Sequence, residues 1–232
     1  MTPALETLPG VTVLKFGHEG EPVVLIDSYV RDAELLRTHA ASQFWQRLGP
    51  HYPGVRAPAP ATYLNERADL LKRVLIEVFD MTNGAELVES NFSLVTTPPE
   101  QLSPIQRLPH FDSLDRGRLA LLHYLGGPDQ GGTAFYRHRS TGFETLSEER
   151  HSPYAQKLQS EVTAAGGVPA GYFCGDSPLF EKIGEIQALP NRMAIYRGVT
   201  LHSGVIPDGF PFDPDPRTGR LTINTFLQAR PV

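Results

Sequence analysis

The segment RLPHFDS places His110 and Asp112 two positions apart. On an extended strand, side chains two positions apart point to the same face, so this imidazole and this carboxylate could reach one point in space. Both side chains are common ligands of divalent metals, but such a pair also arises by chance on many protein surfaces. The pair therefore indicates a metal site only if the chain supplies a third ligand.

A third ligand of a suitable type lies further along the chain. His202, in the segment TLHSGV, follows the strand-like segment RMAIYRGV. Two histidines and one carboxylate that leave other coordination positions open form the facial triad of non-haem Fe(II) oxygenases. Imidazole suits iron, and the carboxylate offsets part of the positive charge. The sequence therefore predicts that His110, Asp112 and His202 are the metal ligands of a catalytic centre.

The last strand-like segment, GRLTINTFLQA, carries three further candidates. Arg220 stands at its start, where a buried guanidinium could form a bidentate pair with a carboxylate. Thr222 and Asn224 follow at two-residue intervals, so they are expected on the same face of the strand as Arg220. Both could donate hydrogen bonds to a small acid. The segment therefore predicts part of a binding site for a small acid.

Four motifs occur in an order that resembles the Fe(II)/2-oxoglutarate-dependent dioxygenase superfamily, in its prolyl-4-hydroxylase-like branch. They are PHFD, GRLALLHYLGGPDQGGTAFY, MAIYRGVTLHSG and GRLTINTF. The branch shows a His-x-Asp motif, then a tyrosine and glycine-rich stretch, then the distal histidine, and last a basic residue. The match extends over the second half of the chain, whereas the first 90 residues resemble no family.

The resemblance implies that Fe(II) is bound by the three predicted ligands and that 2-oxoglutarate is the co-substrate. Arg220 would pair with the distal carboxylate of 2-oxoglutarate, and Tyr124 matches a tyrosine that hydrogen-bonds the same carboxylate in some members. The implied reaction is hydroxylation, or another oxidation of a C–H bond, with succinate and CO2 as co-products. A non-oxidative cupin-like metal-binding protein, such as an isomerase or a ligand sensor, is the alternative, and it needs no arginine for 2-oxoglutarate.

The sequence departs from this family pattern in two places. The separation of His202 from Arg220 is longer than usual because of the loop PDGFPFDPDPR, so Arg217 remains an alternative partner for 2-oxoglutarate. Residues 143–188 form an extra segment, which we interpret as a helical insertion and a candidate lid over the site.

The expected fold is α+β, with a double-stranded β-helix, or jelly-roll, core of the cupin-like type. We predict a single domain over residues 1–232. Residues 1–90 would form an α/β support region whose helices pack on the core, and residues 91–232 would form the catalytic jelly-roll. Hydrophobic periodicity predicts helices over 32–48, 64–81 and 146–165. The proline-rich stretch 49–63 is predicted to be a loop, and its segment HYPGVRAP is of the kind that can cap a pocket.

Composition limits the classes of partner. The net charge is -5, which disfavours nucleic acid because phosphate binding requires a basic surface. No apolar run approaches the roughly 18 residues of a membrane span, and no signal peptide is evident. The single cysteine, Cys174, permits no internal disulfide. We therefore expect a cytoplasmic enzyme that acts on an amino acid, a peptide, a protein side chain or a small metabolite; a homodimer is left open.

Overall fold

The computed structural model describes residues 10–49 and 51–231. Within these residues the strands are β1 (Val11–Lys15), β2 (Pro22–Ile26), β3 (Gly54–Pro58), β4 (Ala85–Val95), β5 (Arg118–Tyr124), β6 (Gly132–His138), β7 (Phe180–Gln187), β8 (Arg192–Arg197), β9 (His202–Val205) and β10 (Leu221–Ala229). The α-helices are α1 (Ala33–Ala41), α2 (Ala68–Glu77) and α3 (Glu148–Ala164).

The strands form two antiparallel sheets. The major sheet has the order β1-β2-β8-β5-β10-β4-β3, and the minor sheet has the order β7-β6-β9. Strands that are distant in the sequence lie side by side, as β10 does between β5 and β4. This mostly antiparallel, two-sheet arrangement with a few helices confirms the predicted jelly-roll core.

The two faces of the major sheet have different partners. In β5, Leu119 and Leu121 belong to a core cluster that also contains Val74 of α2. Ala120 and Leu122 alternate with them and pack with Phe135 of β6, on the side of the minor sheet. The two-residue period of the strand thus directs one set of side chains to the helices and the other to the space between the sheets, where the site lies.

The three predicted helices are present but shorter than predicted. The helix predicted over 64–81 begins as a 3-10 helix at Ala61–Arg67 and continues as α2, whose buried face carries Leu71, Val74 and Leu75. Asp80, just beyond α2, has a left-handed backbone with φ of 59°, which ends the helical course. Among residues 10–49 and 51–231, no helix is long and apolar enough to cross a membrane.

Two expectations about the framework need correction. The stretch 49–63 is not a continuous loop, because Gly54–Pro58 forms the edge strand β3, paired with β4. The segment 143–188 contains the predicted helix α3, but it ends in β7, which pairs with β6 along its length, so the insertion is shorter than predicted. The first 90 residues contribute β1, β2 and β3 to the major sheet.

Candidate metal centre

The backbone holds the three predicted metal ligands in place. The His110 amide donates to the His202 carbonyl, and the His202 amide donates to the His110 carbonyl, each at 2.8 Å. The Asp112 amide donates to the Gly198 carbonyl at 2.7 Å. His202 is the first residue of β9, so the minor sheet fixes the position of this short antiparallel bridge.

The side chains of these residues converge. Nε2 of His110 lies 3.8 Å from Oδ1 of Asp112, and Nε2 of His202 lies 3.6 Å from Oδ2 of Asp112. One ligand atom from each of the three residues lies within 4.8 Å of the others. Metal–nitrogen and metal–oxygen bonds in such sites are roughly 2.0–2.2 Å long, so one ion can reach all three side chains after small rotations.

Both imidazoles are prepared to act as neutral ligands. The Nδ1 of His202 lies 2.8 Å from the Thr200 carbonyl, which can only accept, so Nδ1 carries the proton and Nε2 keeps its lone pair. Burial lowers the pKa of His202 to about 4. Desolvation of the His110 ring on the cavity wall and the neighbouring His202 also lower the pKa of His110, although half of this side chain remains exposed. Both histidines are therefore neutral near pH 7, as metal binding requires.

The three side chains open into a cavity of about 570 Å³ between the sheets. A cavity of this size accommodates a drug-sized ligand. Much of its wall is apolar and includes Leu48, Ile105, Leu108, Phe111, Leu158 and Phe226. The metal ligands thus lie in the wall of a partly open cavity that could hold a small organic molecule.

Arg220 lines the same cavity and is buried. Its Nε donates to the Gln130 carbonyl and its Nη2 donates to the Gly132 carbonyl, both at 2.9 Å. Its Nη1 donates to none of the described residues, so one edge of the guanidinium remains available to a ligand. Thr222 and Asn224 also line the cavity on this strand, as predicted, and the Thr222 hydroxyl donates to Oδ1 of Asn224 at 2.8 Å.

Two other predicted residues do not reach the cavity. Tyr124 is buried, but it is absent from the cavity wall in the described part of the chain, and its hydroxyl lies 2.6 Å from Oγ1 of Thr133. Thr133 stands between Tyr124 and the cavity, so a direct contact of Tyr124 with a ligand is not supported. Arg217 has a side chain that is 66% exposed and pairs with Asp215, which excludes it from the site.

Three wall residues are not among the predicted site residues, although they come from segments interpreted as a possible pocket cap and a candidate lid. Tyr52 and Arg56 reach the cavity from β3 and the residues before it, and Tyr172 reaches it from the segment between α3 and β7. The aromatic and basic types in HYPGVRAP are the one sequence signal for the first two. No local pattern indicates Tyr172, because its position depends on how the chain returns over the cavity.

Several solved structures are similar to this chain. HygX from Streptomyces hygroscopicus with iron bound has a TM-score of 0.51 at 14% identity, covering 90% of this chain and 83% of that chain. The epimerase SnoN from nogalamycin biosynthesis, described as non-heme and alpha ketoglutarate dependent, has a TM-score of 0.49 at 11% identity over 91% and 82% of the chains. An N-substituted L-amino acid dioxygenase from Burkholderia ambifaria AMMD has a TM-score of 0.48 at 13% identity, covering 94% of this chain and 94% of that chain.

At these identities, the likeness to HygX shows a shared fold. No curated protein matches the sequence. A family model described as a family of unknown function, DUF6445, matches residues 8–227, nearly the whole chain. The protein therefore belongs to the DUF6445 family.

Proposed function

We propose that this protein is an Fe(II)- and 2-oxoglutarate-dependent oxygenase that oxidises a C–H bond of a small molecule or peptide. The observation that carries the proposal is the convergence of His110, Asp112 and His202 on one wall of a cavity that also contains the buried Arg220. The fold shared with iron-bound HygX supports the choice of metal. The prolyl-4-hydroxylase-like branch and a cytoplasmic location are part of the proposal, and rest on the sequence motifs and composition.

The donor set fits the proposed cofactors. Two neutral imidazoles and one carboxylate are the ligands of the facial triad, and the cavity leaves room on the opposite side of the site. With Fe(II) and 2-oxoglutarate bound, the centre would couple oxidation of the substrate by O2 to the formation of succinate and CO2. Arg220 would bind the distal carboxylate of 2-oxoglutarate through the edge of its guanidinium that the carbonyls of Gln130 and Gly132 leave free.

The remaining wall residues position the reactants and exclude water. Tyr196 packs edge-on against His202, with ring centroids 4.9 Å apart, and so fixes the orientation of this imidazole. Tyr154 and Leu158 of α3 contribute to the wall and also pack on the minor sheet. We assign α3 the role of a lid, because these two of its side chains line the cavity. Closure of α3 over the apolar wall would shield a reactive centre from side reactions with solvent.

A binding experiment under anaerobic conditions tests the proposal. 2-Oxoglutarate is titrated into the Fe(II)-loaded protein, and formation of the complex is followed by its visible absorption. Dioxygen is then admitted and succinate is quantified. The proposal predicts saturable binding and succinate formation that depends on iron. Metal binding without any affinity for 2-oxoglutarate would contradict it and would favour the non-oxidative metal-binding protein.

A further inference from the structure

One arginine in the cavity has no role in the site described so far. Arg56, on β3, lines the cavity together with His110 and Asp112. Its Nε is buried and has no hydrogen-bond partner among the described residues. A buried guanidinium without a hydrogen-bonding partner is costly, because its hydration is lost and nothing replaces it. The local structure therefore leaves a position where an anion would be stabilised.

The nearest carboxylate does not fill this position. Oε1 of Glu89 lies 3.9 Å from Nη1 of Arg56, which is beyond hydrogen-bond distance. The Glu89 side chain is 44% exposed, whereas the Arg56 side chain is 18% exposed, so Glu89 is largely hydrated. Such an ion pair contributes little, and it leaves Nε without a partner. The charge of Arg56 is thus free to interact with a molecule in the cavity.

The orientation of Arg56 is fixed before any ligand binds. Its guanidinium stacks on the Tyr52 ring, 4.4 Å from the ring centroid. Its backbone is held on both sides, by the pairing of Arg56 with Ser93 of β4 and by two hydrogen bonds with Gln46 at 2.8 and 3.0 Å. A planar guanidinium held in this way is well suited to bidentate binding of a carboxylate.

Arg56 and Arg220 differ in a way that separates their roles. Arg220 is anchored by two backbone carbonyls, and it belongs to the strand that the proposed function assigns to 2-oxoglutarate. Arg56 belongs to the edge strand β3, which β4 separates from β10, and it lines the same cavity as the metal ligands His110 and Asp112. Two cationic positions in one cavity match two different anionic groups.

We propose that Arg56 binds the carboxylate of the substrate, and that the substrate is a carboxylic acid with an apolar body. This inference rests on the proposed function, since Arg220 is reserved for 2-oxoglutarate. The apolar wall formed by Leu48, Ile105, Leu108 and Leu158 would receive the apolar body. Tyr52 positions the guanidinium by stacking beneath it.

The test compares acids with their uncharged amides. Octanoate, 4-phenylbutyrate and N-acetyl-L-leucine, each with its primary amide, are titrated into the Ni(II)-loaded protein in the presence of 2-oxoglutarate, and binding is measured by calorimetry. At least one acid should bind ten-fold or more tightly than its amide. The preference should disappear in Arg56→Gln and be partly kept in Arg56→Lys, which retains the charge without the planar fork.

Arg118→Gln is the matched control. Arg118 carries the same charge, but it does not line the cavity and its Nε donates to Gln228, so this variant should keep the wild-type preference. The inference is overturned if no acid binds better than its amide or if Arg56→Gln keeps the preference. It is also overturned if Arg56→Gln weakens 2-oxoglutarate binding as strongly as Arg220→Gln. Failure of the proposed function is seen separately, as absence of 2-oxoglutarate binding to the wild-type protein.

Discussion

His110 and His202 form a reciprocal backbone pair, in which each amide donates to the carbonyl of the other at 2.8 Å and the two imidazole centroids lie 4.3 Å apart. Main-chain hydrogen bonds therefore set the spacing of two candidate metal ligands, independently of their side chains. This pairing joins the loop that follows the 3-10 helix Pro104–Arg107 to the first residue of β9. The geometry of the site is thus a property of the sheet, and it should persist when a ligand side chain is removed.

Removing a ligand should abolish metal binding without unfolding the protein. In His202→Ala and Asp112→Ala, the backbone hydrogen bonds can remain, but only two of the three donors are left. We expect the affinity for Fe(II) or Co(II) to fall at least about 100-fold, since loss of an outer partner alone typically costs 10–100-fold. Calorimetric titration measures the affinity, and the thermal midpoint of the apo protein checks the fold. Asp129→Ala, at an exposed acidic position, is the control; wild-type affinity in either ligand variant would refute the assignment.

Substitution of Arg220 should separate the two candidate arginines. Arg220→Gln removes the buried guanidinium from the cavity, so the dissociation constant for 2-oxoglutarate should rise about 100-fold, consistent with the loss of a bidentate charged pair. Arg217→Gln, at an exposed position outside the cavity, should leave it unchanged. Arg220→Lys keeps the positive charge but not the planar guanidinium that donates to Gln130 and Gly132. Comparing its dissociation constant with that of Arg220→Gln separates the effect of the lost charge from the effect of the lost hydrogen bonds. An equal rise of the dissociation constant in Arg217→Gln would contradict the assignment of Arg220 as the partner of 2-oxoglutarate.

The residues that sequence reasoning placed well are those whose position follows from strand periodicity. Arg220, Thr222 and Asn224 share a face because their spacing along β10 requires it, and all three line the cavity. Tyr124 also points inward, into the cluster between the sheets. Periodicity predicts which face of the sheet a side chain lies on, but not which neighbours it contacts there. The Tyr124 hydroxyl contacts Thr133 and does not reach the cavity.

The strands that were missed lie at sheet edges, where the usual sequence signals are weak. β3 ends in Pro58, and proline is tolerated at the end of an edge strand because its missing amide need not donate to a neighbouring strand. β7 has the sequence FEKIGEIQ, whose charged residues suit the exposed edge of the minor sheet and conceal its strand character. The sequence marked HYPGVRAP as a segment that can cap a pocket, but the loop interpretation could not give the register of Arg56 on β3.

A contact between His138 of β6 and Glu161 of α3 holds this helix on the minor sheet and provides a test of its role as a lid. Nε2 of the buried His138 lies 2.9 Å from Oε2 of Glu161, near the C-terminal end of the helix. Glu161→Ala removes this contact and leaves His138 unpaired at Nε2, so hydrogen exchange should accelerate in α3 and the free energy of unfolding should fall by about 1–3 kcal/mol. Glu149→Ala, at an exposed position in the first turn, is the control. Unchanged exchange in Glu161→Ala would show that the contact does not hold the helix.

Access to the cavity should change in the same variant. Tyr154 and Leu158, one to two turns before Glu161, form part of the cavity wall. If α3 is a lid, a looser helix should raise the dissociation rate of 2-oxoglutarate from the Ni(II)-loaded protein, which stopped-flow displacement measures. A dissociation rate equal to that of the wild-type protein, together with faster exchange in α3, would contradict the lid assignment while leaving the anchor intact.

His123 should make the stability of the fold depend on pH. Its ring is fully buried against Tyr63, and burial lowers its pKa to about 4. Its Nε2 faces Oδ1 of Asn191 at 3.0 Å; because that oxygen also accepts from the Val30 amide, Nε2 is the protonated nitrogen of the neutral ring. The folded state excludes a second proton until about pH 4, whereas the unfolded chain binds it near pH 6.5.

Because the pKa of His123 is lower in the folded state than in the unfolded state, acidification should destabilise the fold. The contribution of neutral His123 to stability is complete above about pH 6.5 and is lost as the pH falls towards 4, because the unfolded state then binds more protons. Urea unfolding at pH 7.5 and 4.5 measures it. The pH-dependent loss in wild type should exceed that in His123→Gln, which cannot titrate, by about 2–3 kcal/mol. The other histidines with lowered pKa values are common to both proteins and cancel in the comparison. Equal losses in the two proteins would show that His123 is protonated with little penalty in the folded state.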